Sequence, residues 1–202
     1  MNHYFTNDYT KKNEKTKEVI IKNTHLKFIT DSGTFSKKGL DFGTRSLLEN
    51  INIEEIKGDV LDFGCGWGPI GIYIKKKTKA NVDMCDINIK SIDLAKRNAK
   101  INNVKVEVFE SNSYQNIKNK YDYIITNPPI RVGKEKLYEI LHSSIDHLKE
   151  NGKMYFVINK NQGAKSIIKD MNEKAKTTLV KKNKGFYIIM SQKYWQTAKK
   201  SI

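Results

Sequence analysis

Asn127, Pro128, Pro129 and Ile130 form a strip whose residue types and order could activate an amine. A residue that precedes proline is pushed into extended geometry, so Asn127 and Pro128 are both held stiff. Since proline has no N–H group, the Asn127 side-chain oxygen and the Pro128 carbonyl are free acceptors. The lone pair of an exocyclic amine on a nucleobase is delocalised into the ring. Two acceptors that bind both amine hydrogens draw this lone pair back onto the nitrogen, so catalysis would rest on positioning and electrostatics. The alternative is a loop that only ends a strand.

The stretch from Leu61 to Gly71 contains four of the twelve glycines and predicts a strand, a glycine turn and a helix. Glycine allows a sharp turn and lets a ligand lie against bare backbone, with N–H groups at the helix start directed at it. Gly66-x-Gly68-x-x-Gly71 also fits the dinucleotide pattern, which would make NAD the ligand. Asp62 disfavours NAD, because a carboxylate is unwelcome near a pyrophosphate. A glycine turn without a ligand is a third interpretation.

The pattern Asp62-x-Gly64-x-Gly66-x-Gly68 resembles the first motif of class I S-adenosylmethionine-dependent methyltransferases. The ligand of that family carries an ammonium and a sulfonium rather than phosphates. The resemblance implies that these four residues bind the cofactor S-adenosylmethionine. Asn112 stands where the family commonly carries an aspartate near the adenine amine, and its side-chain oxygen can still accept a hydrogen bond from that amine.

Asp86 lies 24 residues after Asp62, at the end of the second predicted core strand. A Rossmann-like fold places an acid there to accept hydrogen bonds from ribose hydroxyls. The alternative is a helix N-cap, although Asn88 could take that role. Asp62, Asp86, Asn112 and Asn127 each follow a predicted strand, and parallel sheets bind ligands at that edge. This convergence predicts one cleft, in which Asn127 lies close to both the cofactor and the amine.

The elements that must position these residues alternate between strands and helices. Before the glycine turn, the pattern predicts a hairpin over 19–22 and 26–30 and a helix over 44–50. After it come strands over 80–85, 104–109, 121–126 and 154–158, helices over 89–102, 135–148 and 164–175, and a hairpin over 178–180 and 186–190. The predicted fold class is α/β, a Rossmann-like and mostly parallel class I methyltransferase sheet with a closing antiparallel hairpin.

We divide the chain into three parts. Residues 1–56 form an N-terminal extension, with a β-hairpin and a cap helix packed on the core. Residues 57–194 form the methyltransferase core, and residues 195–202 form a basic tail.

The chain carries a formal net charge of +15, with 37 basic residues among 202. This charge indicates a polyanionic partner such as nucleic acid, although only three basic residues are arginine and an AT-rich genome would also enrich lysine. No apolar run has the length of a membrane helix, and the start lacks the apolar stretch of a signal peptide. Cys65 and Cys85 fit neither a disulfide framework nor a zinc site. We therefore expect a cytoplasmic protein with no membrane or metal partner.

The Asn-Pro-Pro-x strip is the signature of methyltransferases that act on adenine N6, guanine N2 or a glutamine amide. Adenine and glutamine enzymes typically have an aromatic residue in the fourth place, where this chain has Ile130. With Arg131, Gly133 and Lys134 after the strip and the segments 31–37 and 41–45 in front, the chain resembles the guanine-N2 methyltransferases of small-subunit ribosomal RNA. It resembles the single-domain form of that family found in Gram-positive bacteria.

That resemblance implies methyl transfer to the N2 amine of a guanine in 16S rRNA, with ribosomal RNA or the small ribosomal subunit as partner. It makes Phe35 and Arg131 candidates for RNA contact: Phe35 could stack on a base or simply pack, and Arg131 could hold a phosphate or a guanine edge. Two alternatives stay open. One is another amino acceptor, such as adenine N6 of RNA or a protein glutamine. The other is a non-catalytic RNA-binding protein, which would not need the intact strip.

Overall fold

The computed structural model describes residues 14–31, 39–129 and 132–194. The strands in these segments are β1 (Lys15–Ile21), β2 (Thr24–Thr30), β3 (Asp59–Phe63), β4 (Asn81–Asp86), β5 (Glu107–Glu110), β6 (Tyr121–Thr126), β7 (Leu148–Asn159), β8 (Ala175–Asn183) and β9 (Phe186–Lys193). The α-helices are α1 (Phe42–Asn50), α2 (Pro69–Lys77), α3 (Ile89–Ile101), α4 (Lys134–Asp146) and α5 (Ala164–Met171), and short 3-10 helices cover Ile53–Glu55 and Lys160–Gln162. None of the described helices is long and apolar enough to cross a membrane.

Seven strands form one sheet in the order β5-β4-β3-β6-β7-β9-β8, and β1 and β2 form a separate antiparallel hairpin. Strands β3 to β7 pair in parallel, whereas β9 runs antiparallel to both β7 and β8. The predicted α/β fold, with a mostly parallel sheet and a closing hairpin, is confirmed. The chain runs outward from β3 to β5 and then returns to β6 on the other side of β3. Such a reversal opens a crevice at the carboxyl ends of these strands.

Both faces of the sheet are buried, because the side chains of its central strands alternate between two apolar layers. In β3, Val60 packs in the layer that contains α1, α2, α3 and the N-terminal hairpin. Leu61 packs in the opposite layer, with α4 and α5. In β6 the same alternation separates Ile125 from Ile124. Strands held from both sides give fixed positions to the polar residues that follow them.

The N-terminal hairpin docks on α3 through two asparagine side chains that act like a neighbouring strand. The Asn98 amide accepts from the Ile29 N–H at 2.7 Å and donates to the Ile29 carbonyl at 2.9 Å. One helical turn later, Asn102 makes the same pair of bonds with Lys27, at 3.0 and 2.7 Å. These side chains satisfy backbone groups on an edge of β2 that would otherwise be open for pairing.

The observed elements differ from the predicted ones mainly at their ends. The strand predicted over 104–109 begins only at Glu107, because the end of α3 extends into that segment. Asn103 adopts a left-handed conformation with φ 54°, and the Val104 N–H donates to the Ala99 carbonyl at 3.1 Å. These features close α3 with a Schellman motif. In the opposite direction, α5 ends at Met171 rather than at residue 175, since Ala175 is buried as the first residue of β8.

Candidate active site

A cavity of about 450 Å³ opens at the carboxyl ends of the central strands. It lies at the edge where the reversal in strand order predicts a ligand site. Its walls also include residues from the start of α1 and from α4. Six of the residues singled out from the sequence line it together: Gly64, Gly66, Asp86, Asn112, Asn127 and Pro129. The structure therefore brings the glycine turn and the Asn-Pro-Pro strip to one place, although 63 positions separate Gly64 from Asn127.

The backbone of the glycine turn faces open space in the cavity. Gly64 and Gly66 have φ values of 70° and 55°, which side chains rarely adopt, and a Cβ added to either would meet no atom within 4 Å. A ligand can therefore lie directly against this backbone. Gly68 has another role, because its added Cβ would lie 2.8 Å from the Met84 side chain, and Gly68 does not line the cavity. It allows α2, which begins with Pro69, to pack closely on β4.

Asp62 lies beneath the turn, fully buried, rather than in the cavity wall. One carboxylate oxygen accepts from the Gly71 N–H at 2.8 Å, and the other has no hydrogen-bond partner among the described residues. Burial raises the pKa of Asp62 to about 7, against the opposing effect of the Gly71 N–H, and the charge of Asp86 raises it further. A cation nearby would stabilise this carboxylate. The residues fit a cationic ligand such as S-adenosylmethionine better than a pyrophosphate.

The Asp86 side chain joins the turn to the start of α3. Its Oδ2 accepts from the Gly66 N–H and its Oδ1 from the Asn88 N–H, both at 2.8 Å. Asn88, not Asp86, caps the helix, because its side chain accepts from the N–H groups of Lys90 and Ser91. Burial raises the pKa of Asp86, and the backbone N–H groups oppose that shift. The carboxylate has about four acceptor sites, which exceeds the three backbone N–H groups of Gly66, Ile87 and Asn88, so a ribose hydroxyl could still donate to it as predicted.

The Asn127 amide is held by two residues of the N-terminal part of the chain. Its Nδ2 donates to Asp41 Oδ1 at 3.1 Å and to Thr44 Oγ1 at 2.9 Å. A carboxylate can only accept, so the nitrogen must face Asp41 and the side-chain oxygen is directed away from these partners. Asp41 is itself fixed, since it caps α1 by accepting from the Thr44 N–H at 3.0 Å. Asp41, the N-cap of α1, therefore orients the Asn127 side-chain oxygen, which is the acceptor predicted to bind an amine.

Sequence reasoning did not identify Asp41 and Thr44 as site residues, although both line the cavity. The local signal was present, because aspartate directly before a helix is a preferred N-cap residue. The contact with Asn127 spans 86 and 83 positions, and no local pattern reports such a distance. Of the remaining predicted site residues, Pro128 does not line the cavity, and Phe35, Ile130 and Arg131 lie outside the described residues.

The two cysteines lie together in the wall of the cavity. The Cys65 N–H donates to the Cys85 carbonyl at 2.9 Å, and both thiols are free and buried. Burial raises the pKa of each thiol, which disfavours the reactive thiolate. Both cysteines are therefore small buried residues with protonated thiols.

The profile of the methyltransferase small domain family matches residues 25–190. A relative from Bacillus subtilis, uncharacterized protein YbxB, is 37% identical over 95% of this chain and 98% of its own length. Relatives named ribosomal RNA small subunit methyltransferase C, from Psychromonas ingrahamii and Haemophilus influenzae, are 38% and 39% identical over 72% and 63% of this chain. The chain spans only 43% and 40% of those two proteins.

A solved structure supports the same fold. The Thermus thermophilus 16S rRNA N2 methyltransferase, in complex with AdoMet and guanosine, superposes with a TM-score of 0.80 at 19% identity. The match covers 89% of this chain and 50% of that one. Because the family profile covers most of the chain and the geometry of the glycine turn fits the cofactor, the protein belongs to the methyltransferase small domain family, whose class I members use S-adenosylmethionine.

Proposed function

We propose that this protein transfers a methyl group from S-adenosylmethionine to the exocyclic N2 amine of a guanine in 16S rRNA. The observation that carries the proposal is the orientation of Asn127. Asp41 and Thr44 bind its amide nitrogen, at 3.1 and 2.9 Å, so its oxygen is left as an acceptor in the cavity that the glycine turn also lines. This arrangement suits an amine and needs no strong base.

Four residues of the cavity would hold the cofactor. The Gly64 and Gly66 backbone offers it a bare surface, Asp86 can accept from ribose hydroxyls, and Asn112 can accept from the adenine amine. When bound, S-adenosylmethionine supplies an electrophilic methyl group on a positively charged sulfur. The buried Asp62 carboxylate beneath the turn favours this positive ligand.

The Asn-Pro-Pro strip would act on the amine. The Asn127 oxygen and the Pro128 carbonyl each accept one N2 hydrogen, which restores the lone pair of the guanine amine and aims it into the cavity. The nitrogen would gain the methyl carbon as the bond between that carbon and the sulfonium sulfur breaks, S-adenosylhomocysteine would leave, and one N2 proton would pass to water. The protein would contribute orientation and electrostatic stabilisation, with the Asn127 amide already held by Asp41 and Thr44 before the reaction.

Four observations support guanine in ribosomal RNA as the target. The methyltransferase C relatives are named for the small-subunit RNA, and the Thermus thermophilus enzyme is an N2 methyltransferase. Position 130 holds isoleucine instead of the aromatic residue on which adenine enzymes stack their base. Arg131 follows in a chain that otherwise almost always uses lysine, and arginine matches the O6 and N7 edge of guanine. The net charge of +15 fits an RNA partner.

Methylation of isolated small ribosomal subunits tests the proposal. Subunits from a strain that lacks this protein are incubated with the purified protein and labelled S-adenosylmethionine, and the RNA is then digested to nucleosides. The proposal expects label in N2-methylguanosine. Label in N6-methyladenosine, or in a ribosomal protein, would assign the same cavity to another amine. Binding without any transfer would indicate a non-catalytic RNA-binding protein.

A further inference from the structure

We propose that the turn of the β8–β9 hairpin and the start of α1 form a docking surface for single-stranded RNA next to the target nucleotide. The surface consists of Phe42, Lys181, Lys184 and Phe186, here called the hairpin platform. The inference rests on the proposed function for the identity of the RNA. Its binding test does not require methyl transfer, so the two ideas can fail separately.

The hairpin platform lies on the same edge of the sheet as the cavity. Phe186, the first residue of β9, pairs with Asn159, the last residue of the parallel strand β7. The turn that precedes Phe186 therefore projects beyond the carboxyl ends of the parallel strands, where the cavity opens. On the helix side, Phe42 directly follows Asp41, the residue that holds the Asn127 amide. An RNA strand whose base enters the cavity would pass this surface.

The turn is held in place from two sides. Lys184 and Gly185 have φ values of 43° and 86°, the left-handed pair of a tight hairpin turn. The Lys160 N–H donates to the Gly185 carbonyl at 2.7 Å. The Asn183 amide donates to the hydroxyl of Ser46 in α1 at 2.8 Å. These bonds fix the hairpin turn against α1, so the platform is a rigid surface rather than a loose loop.

Two aromatic rings form the apolar part of the platform. Phe42 and Phe186 pack with their centroids 5.5 Å apart, and Phe42 remains 37% exposed. A Cβ on Gly43 would come within 3.1 Å of the Phe186 ring, so glycine there favours the close approach of the hairpin to α1. Phe186 is partly buried and supports the exposed Phe42 ring, which offers a face on which a nucleobase can stack without regard to sequence.

The charge of the hairpin selects a polyanion. Residues 174–194 include six lysines and no aspartate or glutamate. The Lys184 ammonium lies 5.8 Å from the Phe42 ring centroid, and Lys181 shares a sheet face with its partner Ile188 and with Phe186. Both lysines are exposed, and neither makes a salt bridge within the described part of the chain. Lysines interleaved with aromatic rings are typical of surfaces that bind single-stranded nucleic acid.

The hairpin provides its own control. Lys182 pairs with Tyr187, whose ring packs in the opposite apolar layer, and its ammonium lies 5.3 Å from that ring. Lys182 therefore resembles Lys184 in charge, in its place in the hairpin and in its distance from an aromatic ring, but it faces away from the platform. Replacing either lysine changes the net charge equally. A difference in RNA affinity between the two variants therefore depends on which face of the hairpin the lysine occupies, and not on the total charge.

Fluorescence anisotropy with a labelled, single-stranded mixed-sequence RNA of about twelve nucleotides tests the inference. Phe42→Ala should weaken binding by roughly fivefold or more, and Phe42→Tyr should retain it, since the stacking face is kept. Lys184→Ala should lower the slope of log affinity against log salt by about one, and Lys182→Ala should leave it unchanged. The affinity for S-adenosylmethionine, measured by calorimetry, should stay within about twofold of the wild-type value for every variant.

Equal effects of Lys182→Ala and Lys184→Ala would overturn the inference, because they would show a diffuse effect of charge. Unchanged RNA affinity of a folded Phe42→Ala variant would also overturn it. Loss of binding to assembled small subunits, with binding to the RNA intact, would assign the surface to a ribosomal protein instead. If the methylated nucleoside is not N2-methylguanosine while the binding differences persist, the proposed target fails and the docking surface stands.

Discussion

Removal of the Thr44 hydroxyl tests the idea that the α1 cap orients the catalytic amide. Thr44 is buried, and its Oγ1 accepts from Asn127 Nδ2 at 2.9 Å. Thr44→Val keeps the shape of the side chain and the backbone N–H that Asp41 accepts, but it removes this acceptor. One hydrogen bond between neutral groups contributes about 1 kcal/mol, which corresponds to about a fivefold lower rate of methyl transfer.

Asp41 should matter more, because its bond to Asn127 is charge-assisted. Its loss in Asp41→Ala should cost about 2 kcal/mol, or about 30-fold in rate. The same change removes the N-cap of α1, which should lower the free energy of unfolding by about 1 kcal/mol. Thr44→Ser, which keeps the hydroxyl, is the matched control and should retain most activity. Single-turnover methyl transfer at saturating cofactor measures the rate, and calorimetry should show unchanged cofactor affinity.

A double-mutant cycle decides whether these effects act through the amide. Asn127→Ala alone should reduce turnover by roughly 100-fold or more, while cofactor affinity changes by no more than about threefold. In that background, Thr44→Val should have no further effect, because the group that it orients is already gone. If Thr44→Val slows transfer about fivefold in both backgrounds, the threonine acts elsewhere and the reasoning is refuted.

Asp86→Ala should weaken S-adenosylmethionine binding by roughly 1–3 kcal/mol, the cost of losing hydrogen bonds to a charged acceptor, and calorimetry should show no heat with NAD; unchanged affinity for the cofactor would remove Asp86 from the site. Gly64→Ala and Gly68→Ala should both lower the melting temperature, because these glycines have φ values of 70° and 92°, but only Gly64→Ala should also reduce cofactor affinity, because its Cβ would project into the open cavity; a loss of affinity in Gly68→Ala alone would exchange the roles of the two glycines. Asp62 should make the ligand-free protein less stable as pH rises from about 4, its unfolded pKa, to its folded pKa of about 7, because the native state keeps a proton that the unfolded state releases. In denaturant titrations at several pH values, the free energy of unfolding of Asp62→Asn should rise relative to that of the wild type across that window and not above it. A constant difference between the two proteins at all pH values would contradict the raised pKa.

The parts of the site that could be predicted are those written in local patterns. Asn127 follows β6, whose ends at Tyr121 and Thr126 agree with the prediction. The glycine turn was predicted from its own spacing, and both motifs follow parallel strands, which must meet at one edge. Chain topology thus converts two local signals into one cavity.

The parts that could not be predicted depend on long-range hydrogen bonds. The cap at Asp41 was readable as a local feature, but its second role toward Asn127 exists only after α1 packs beside β6. Asn98, on the core face of α3, was not expected to serve as a pairing edge for β2. Gly68 shares a motif with Gly64 and Gly66, yet its role is set by Met84 of the next strand. Spacing shows which residues are special, whereas their partners follow from packing.

The central claim, that Asn127 directs methyl transfer to guanine N2, is tested most directly in the RNA itself. Nucleosides of 16S rRNA would be compared by mass spectrometry between a strain that lacks the protein and the same strain complemented with wild type or Asn127→Ala. We predict that one N2-methylguanosine is absent from the first, restored by the wild type and not restored by the variant. Equal N2-methylguanosine in all three strains, or restoration by Asn127→Ala, would contradict the account.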